Sequence, residues 1–327
     1  MVVNNSLKEI WSKLKKCRKV AMTLHAAPDG DSLGCCAAMK YVLERDFKCK
    51  VTLVSYDALE DSLMQLPYAK ELTFGVDISE LNLKEYDATL FMDSGSVSGK
   101  LRDKYIPPKD AFIINIDHHE TTKYVVSMNY IDSSRPSNCS ILMDMFKTSN
   151  VKFDKELSTR LMLGLCTDTM FFAVNGVAAL KDASFLVNNG ADYQYILSKI
   201  QDNVPIRIKK YHAVLIDNLK TININGKIVG YSCTDLKTIK KLGLNTAEIR
   251  QGPNYISDIG ECDMLFTLAD AQDHIKGSFR SRKGIDVSRF ALKLGGNGHK
   301  EAAGFRIEKS SLKDAERKVL AVLKENL

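Results

Sequence analysis

The sequence predicts an α/β fold: a doubly wound, mostly parallel sheet in the N-terminal half, followed by a smaller α+β unit. Three observations predict it. Short apolar runs alternate with helical patterns through the first half. Several of these segments stop at a cluster of Asp and His, the place where open α/β sheets form their sites. After about residue 215 the pattern changes to paired strand candidates, with Asn225-Gly226 as a strong hairpin signal.

Leu7 to Lys16 reads as an opening helix, with Leu7, Ile10, Trp11 and Leu14 on one face. Val20 to His25 is a short apolar strand candidate, and Leu33 to Arg45 a helix with Ser32 close to its start. The loop between them, Ala26 to Ser32, therefore lies at a strand's C-terminal end. Lys50 to Ser55, Ala88 to Met92 and Phe112 to Ile116 are further strands, the last two ending at Asp93-Ser94-Gly95 and Asp117-His118-His119. Leu157 to Cys166 has helical spacing and runs into Thr167-Asp168-Thr169. Around Lys181 to His212 the pattern is helical and polar, broken at Asn188-Asn189-Gly190. Strands then follow at Thr221 to Ile224, Lys227 to Ser232, Met264 to Asp270 and His274 to Arg280. A helix from Val287 leads to the run Gly295-Gly296-Asn297-Gly298-His299, with a strand near Gly304 to Ile307 and a final helix from Leu312. The domains expected are a metal-binding catalytic unit over 1–188, a helical linker over 189–215 and a substrate-binding unit over 216–327.

A chain of 327 residues suits two domains, each able to bury a core of its own. Its 46 basic and 40 acidic residues leave a net charge of +6, which suits a phosphate-bearing substrate without demanding one. The eight cysteines form no Cys-x-x-Cys pair and read as reduced, mostly buried thiols. The lysine-rich N-terminus has no apolar signal core, and no stretch approaches the ~18 apolar residues that cross a bilayer. The expectation is a cytoplasmic protein.

The densest chemistry lies in His25-Ala-Ala-Pro28-Asp29-Gly30-Asp31-Ser32. Gly30 lets the chain bend so that both carboxylates can face a common space. Histidine with several aspartates and no thiolate suits a hard ion such as Mn²⁺. Alone, the segment reads equally well as an Asp-Gly turn beside a chance histidine. Asp117-His118-His119 shifts that balance, because it again follows an apolar strand. Asp93 and Asp168 individually read as caps or turn residues; their weight comes from their shared location at the ends of core elements. Two histidines and four aspartates (His25, Asp29, Asp31, Asp93, His118 and Asp168) are the right number for two ions sharing one carboxylate. Such ions lie ~3.5–4 Å apart and activate a water near neutral pH. In the second half, Gly295 to Gly304 permits close backbone approach to an anion, and Phe279-Arg280-Ser281-Arg282-Lys283 offers a guanidinium fork. Both also read as a solvated basic turn.

Taken together, His25-x-x-Pro-Asp-Gly-Asp31, Asp93, Asp117-His-His119, Thr167-Asp-Thr169 and Gly295-Gly-Asn-Gly-His299-x-x-Ala-Ala-Gly304 resemble the motifs of the DHH–DHHA1 phosphoesterases, in their order. The chain length is similar to that of the short, nanoRNase A-type members rather than of the longer RecJ-type exonucleases. The resemblance implies a two-metal catalytic DHH domain and a substrate-binding DHHA1 domain around a cleft. It implies that His25, Asp29 and Asp93 hold one ion, and that Asp31, Asp93, His118 and Asp168 hold the other, with Asp93 bridging. His119 would face the phosphate, and Asp117 would orient a histidine. Arg280, Ser281, Gly296, Gly298 and His299 would grip the substrate's other end. The cofactors implied are two divalent ions, Mn²⁺ foremost. The activity implied is hydrolysis of short oligoribonucleotides to nucleoside 5′-monophosphates, and of 3′-phosphoadenosine 5′-phosphate to AMP. A phosphodiesterase for linear or cyclic dinucleotides is the alternative. A catalytically dead nucleotide sensor is the reading of another class, and the intact donor set speaks against it. The partners are a short RNA or dinucleotide; a long duplex and a membrane are excluded, and a homodimer is admissible. Thr122 stands where many members carry Asn, Met170-Phe171-Phe172 where a glycine is common, and Ser137-Asn138-Cys139-Ser140 where acidic and hydroxyl residues often occur.

Overall fold

The computed structural model describes residues 4–94, 108–119, 126–201, 204–281, 283–298, 300–308 and 310–327. The chain forms two compact units, Met1–Asn203 and Val204–Leu327.

The first unit opens with α1 (Leu7–Leu14), started by a reciprocal capping box between Ser6 and Glu9 that satisfies its first amides. Ile10, Trp11 and Leu14 are its buried face. There follow β1 (Lys19–Thr23), α2 (Gly30–Phe47), β2 (Lys50–Ser55), the single turn α3 (Asp61–Met64), β3 (Thr73–Phe74), β4 (Ala88–Met92), β5 (Ile113–Asp117) and β6 (Met128–Ile131). Helices α4 (Asn138–Thr148), α5 (Lys155–Asp168), α6 (Gly176–Asn188) and α7 (Tyr193–Ile200) complete the unit. The six strands are parallel, in the order β3-β2-β1-β4-β5-β6. Every position of β4 and β5 is buried, as expected where helices cover both faces of a parallel sheet. The strand order reverses between β1 and β4, so the carboxyl ends of β1, β4 and β5 open onto the topological switch point.

The predicted strands and helices appear with shifted ends. The largest shift is at α2, which begins at Gly30 rather than Leu33. Its cap is Asp29, whose carboxylate accepts from the Ser32 amide at 3.2 Å, so Asp31 and Ser32 sit inside the first turn. The Asp-Gly turn signal had concealed that start. Helix α4 was not anticipated, because its polar opening, Ser137-Asn138-Cys139-Ser140, has the composition of a loop. It is a Ser137 N-cap, with the hydroxyl accepting from the Ser140 amide. Helices α2 and α5 cross at two glycines. A Cβ on Gly34 would lie 2.8 Å from the Arg160 carbonyl, and one on Gly164 would run into the Asp31 carboxylate and the Cys139 sulfur. Only hydrogen at these positions lets the backbones approach so closely.

The second unit holds α8 (Ile206–Asp217), β7 (Lys220–Ile224), β8 (Lys227–Thr234), α9 (Leu236–Leu242), α10 (Thr246–Gln251), β9 (Met264–Asp270), β10 (His274–Ser281), α11 (Ser288–Lys293), β11 (Asn297–Gly298), β12 (Ala302–Glu308) and α12 (Leu312–Asn326). Its sheet runs β11-β12-β10-β9-β8-β7, parallel only between β8 and β9. Asn225 and Gly226 both take left-handed backbone angles in the β7–β8 hairpin. Phe266, Phe279, Phe290 and Phe305 pack one face of the sheet with α12, whereas Leu265 packs the other with Tyr211, Leu215 and Ile256. Among the described residues no helix is long and apolar enough to cross a membrane.

Candidate metal centre

The switch point gathers the six predicted donors. His25 leaves the end of β1, Asp29 and Asp31 open α2, Asp93 follows β4, His118 follows β5 and Asp168 closes α5. Donor atoms form three overlapping groups, each with its atoms within 4.8 Å of one another: His25, Asp29 and Asp93; Asp31, His118 and Asp168; and Asp93, His118 and His119. His118 belongs to two of them, and so does Asp93. Its Oδ2 is 3.6 Å from His25 Nε2, and its Oδ1 is 3.2 Å from His118 Nε2. His118 Nε2 is also 3.2 Å from Asp168 Oδ2 and 4.0 Å from Asp31 Oδ2. His25 Nε2 lies 3.3 Å from Asp29 Oδ1.

Three site residues, His25, Asp31 and His119, are held by hydrogen bonds to neighbouring groups. His25 Nδ1 donates to the Ala26 carbonyl at 2.9 Å, which directs Nε2 at the carboxylates. Asp31, fully buried, accepts from the amides of Asn138 at 2.5 Å and Cys139 at 3.0 Å, the first residues of α4. Asp117 Oδ1 accepts from the His119 amide at 3.0 Å and its Nδ1 at 2.7 Å, so the residue predicted to orient a histidine holds His119. Asn138, with its amide oxygen toward the Asp93 amide and its nitrogen toward the Ile116 carbonyl, each at 3.2 Å, ties the ends of β4 and β5 together. Sequence reasoning missed Asn138, Cys139 and Gly164; the Ser-x-x-Ser start of α4 was the one available signal.

Backbone strain concentrates here. Asp93 has φ +56°, and Met170, Phe171 and Phe172 take +49°, +53° and +72°, three consecutive left-handed residues just after Asp168. Phe171 and Phe172 face Tyr193 of α7, with ring centroids 6.5 and 6.0 Å away.

The electrostatics describe a cation site. Burial pushes the Asp93 carboxyl well above the usual range, reinforced by Asp31, Asp29, Asp168 and Asp117. Burial does the same to Asp168, again helped by Asp31 and Asp29. Burial pulls His118 down, toward the neutral form that ligates metals. Burial also opposes charge on His119, but its bond to Asp117 outweighs that and raises its pKa. Asp93 Oδ1 and His118 Nε2 are buried and, although 3.2 Å apart, make no hydrogen bond with each other or any described group. A carboxylate oxygen and an imidazole nitrogen left without hydrogen bonds inside a buried acidic cluster fit a shared cation. All six predicted donors are imidazole nitrogens or carboxylate oxygens, which suits a hard divalent ion.

A pH dependence follows. A carboxyl whose folded pKa is raised contributes stability that is present below its unfolded value, ~4, and is lost as pH rises through the folded value. Metal-free protein should therefore lose melting temperature, relative to Asp93→Asn, as pH climbs above ~4, and Mn²⁺ should reverse the loss. Differential scanning calorimetry of both proteins with and without Mn²⁺ checks this; parallel pH profiles would refute it.

In the second unit, Arg280 and Ser281 close β10 and pair with Leu265 and Met264 of β9. Leu265 and Met264 belong to cores on opposite faces, so strand alternation puts Arg280 and Ser281 on opposite faces too. Arg280 donates from Nε to Asn254 Oδ1 at 2.7 Å and from a terminal nitrogen to the Phe279 carbonyl at 2.8 Å. Ser281 is buried on the aromatic-core side, its hydroxyl without a described partner. Gly298 lies opposite Ala303 and Arg280 opposite Ala302, so both occupy one end of the sheet. A Cβ on Gly296 would collide with the Gly304 carbonyl, and one on Gly298 with the backbone of Ala302 and Ala303. His299 and Thr122 lie outside the described residues.

Residues 19–165 match the DHH family N-terminal domain, and residues 226–326 the DHHA1 domain. The chain is 26% identical over 308 residues to the bifunctional oligoribonuclease and PAP phosphatase NrnA of Mycoplasma genitalium, covering 91% of this chain and 92% of that protein. An exopolyphosphatase-related protein from Bacteroides fragilis superposes with a TM-score of 0.87 at 18% identity, over 98% of this chain and 95% of that one. RecJ from Thermus thermophilus in complex with Mn²⁺ superposes with a TM-score of 0.58 at 14% identity, covering 98% of this chain and 54% of that one. A DHH domain followed by a DHHA1 domain accounts for most of the sequence, and the chain belongs to the DHH-family phosphoesterases, metal-dependent hydrolases of phosphate esters.

Proposed function

We propose that the protein is a two-metal phosphoesterase of very short nucleotides, cutting oligoribonucleotides to nucleoside 5′-monophosphates and 3′-phosphoadenosine 5′-phosphate to AMP. The observation that carries it is the Asp93 carboxylate, whose two oxygens face separate histidines, His25 and His118. His25, Asp29 and Asp93 would hold one ion, and Asp31, Asp93, His118 and Asp168 the other. Mn²⁺ there would supply Lewis-acid stabilisation of phosphoryl oxygens and a hydroxide near neutral pH. His119, its Nδ1 bonded to Asp117, would turn its Nε2 to a phosphate oxygen. Arg280, Gly296, Gly298 and His299 would bind the nucleotide's remaining phosphate, whereas the buried Ser281, on the strand's opposite face, stays outside that grip. The paired activities in the name of the M. genitalium relative support this choice of substrates.

The test is a turnover panel with Mn²⁺: RNAs of two, five and twenty nucleotides, a linear diadenylate, and 3′-phosphoadenosine 5′-phosphate. kcat/KM should fall with length. Arg280→Ala should raise KM and flatten that preference without changing metal content. A charge-assisted contact is worth about 1.5–3 kcal/mol, so kcat/KM should drop roughly tenfold to a hundredfold. Equal rates at all lengths in the unmodified enzyme would reject the short-substrate reading.

A further inference from the structure

Among its described residues the second unit carries two half-buried arginines with no carboxylate within ion-pair distance. Arg280 is half-buried; its partners are the Asn254 side chain and the Phe279 carbonyl, and among the described residues no acidic group lies within ion-pair distance. Arg250, also half-buried, makes no hydrogen bond or ion pair with any described residue. The two belong to one neighbourhood. Arg250 lies in the last turn of α10, and the chain continues as a single 3-10 turn, Gly252–Tyr255, that delivers Asn254 to Arg280. Arg250 and Asn254 are four residues apart on nearly continuous helical backbone and so share a side.

This arrangement is costly without a ligand. Burial, with Arg250 beside it, brings the Arg280 pKa down to about 10. Elsewhere the unit pairs its half-buried arginine: Arg207 binds Glu248, two residues before Arg250, at 2.7 Å. Glu248 is thus turned to Arg207 rather than to Arg250. The last turn of a helix favours a cation, which lowers the cost of holding Arg250 but gives it no partner. Two planar guanidinium groups lacking carboxylates match the oxygens of a phosphate, which each can bind in a fork.

We propose that Arg250 is a second phosphate-gripping residue, forming with Arg280 a paired-guanidinium pocket for a nucleotide phosphate, in which Asn254 is the positioning residue that aims Arg280. The proposal rests on the nucleotide reading above. It adds a specificity: a substrate with a terminal phosphate is preferred to the same dinucleotide without one.

The experiment uses the full-length, Mn²⁺-loaded protein. AMP affinity is measured by calorimetry, and kcat and KM are measured for a dinucleotide with and without its terminal phosphate. Arg250→Gln should weaken AMP about tenfold or more, the size of a lost charge-assisted bond. It should raise KM for the phosphorylated dinucleotide with little effect on the unphosphorylated one. Arg250→Lys should restore part of the affinity. Asn254→Ala should raise KM while leaving kcat near its original value, and should add nothing to Arg280→Gln, as expected of a residue acting through Arg280. Unchanged circular dichroism and manganese content establish that each variant is folded. AMP affinity within about twofold of the original in folded Arg250→Gln would overturn the proposal. Arg250-dependent AMP binding in a protein that hydrolyses none of the RNAs would uphold the pocket and overturn the activity reading instead.

Discussion

Asp93→Asn should lower kcat by at least about 10³-fold, the equivalent of roughly 4 kcal/mol of lost charge stabilisation. No other predicted donor joins both groups so directly: one oxygen faces His25 and the other His118. Asparagine is the informative replacement, because position 93 has φ +56° and asparagine tolerates left-handed backbone where alanine adds strain. The metal-free variant should also melt higher than the metal-free original. It removes a buried carboxylate from a cluster with Asp31, Asp29 and Asp168, whose mutual repulsion no cation then relieves. The gain in melting temperature that Mn²⁺ confers should largely vanish. Steady-state kinetics, metal analysis and calorimetry measure the three effects. Near-normal turnover would remove the shared-carboxylate assignment.

Gly164→Ala should be strongly damaging although it changes no donor. In an ordinary helix alanine gains about 1 kcal/mol over glycine. Here the new methyl would overlap the Asp31 carboxylate and the Cys139 sulfur. Neither can give way cheaply: Asp31 is pinned by the amides of Asn138 and Cys139, and Cys139 is buried at the start of α4. Overpacking of this kind costs about 1–3 kcal/mol, and displacing a buried carboxylate from its amides adds about 1–3 more. The sum exceeds the propensity gain. At about 2–4 °C per kcal/mol, the net cost of about 1–5 kcal/mol should lower melting by roughly 2–20 °C, with weaker Mn²⁺ binding because Asp31 moves. A variant as stable as the original would mean that α2 and α5 can part at no cost.

The metal centre was legible because its residues are rare types placed at the ends of strongly apolar segments, where periodicity is easiest to read. The supports were not. Asn138 and Cys139 act through backbone amides and amide orientation, which carry no compositional signal, and Gly164 acts by having no side chain. Strand β6 was missed because its four residues, Met128 to Ile131, include a buried asparagine that pairs with Asn115 and breaks the apolar run. Helices α9 and α10 were missed because each is shorter than two full turns, too short for a periodic pattern to stand out. In the second unit the strands and the Asn-Gly hairpin were visible, but the segregation of Arg280 and Ser281 to opposite faces needed the pairing with β9.

The run Met170-Phe171-Phe172 bears on where the catalytic unit can be cut. Three left-handed residues in succession cost about 1–2 kcal/mol each, and the adjacent aromatic contacts are to Tyr193 of α7. Tyr193 lies beyond residue 165, where the DHH match ends. The amide of Asp192, which caps α7, also donates to Thr159 in α5 at 3.0 Å. A fragment trimmed to the homologous region would keep every donor but Asp168, and one ending at 188 would keep all six while losing the ring that anchors the turn after Asp168. An expression boundary for the first unit belongs after Ile200, because α7 packs against the turn that follows Asp168.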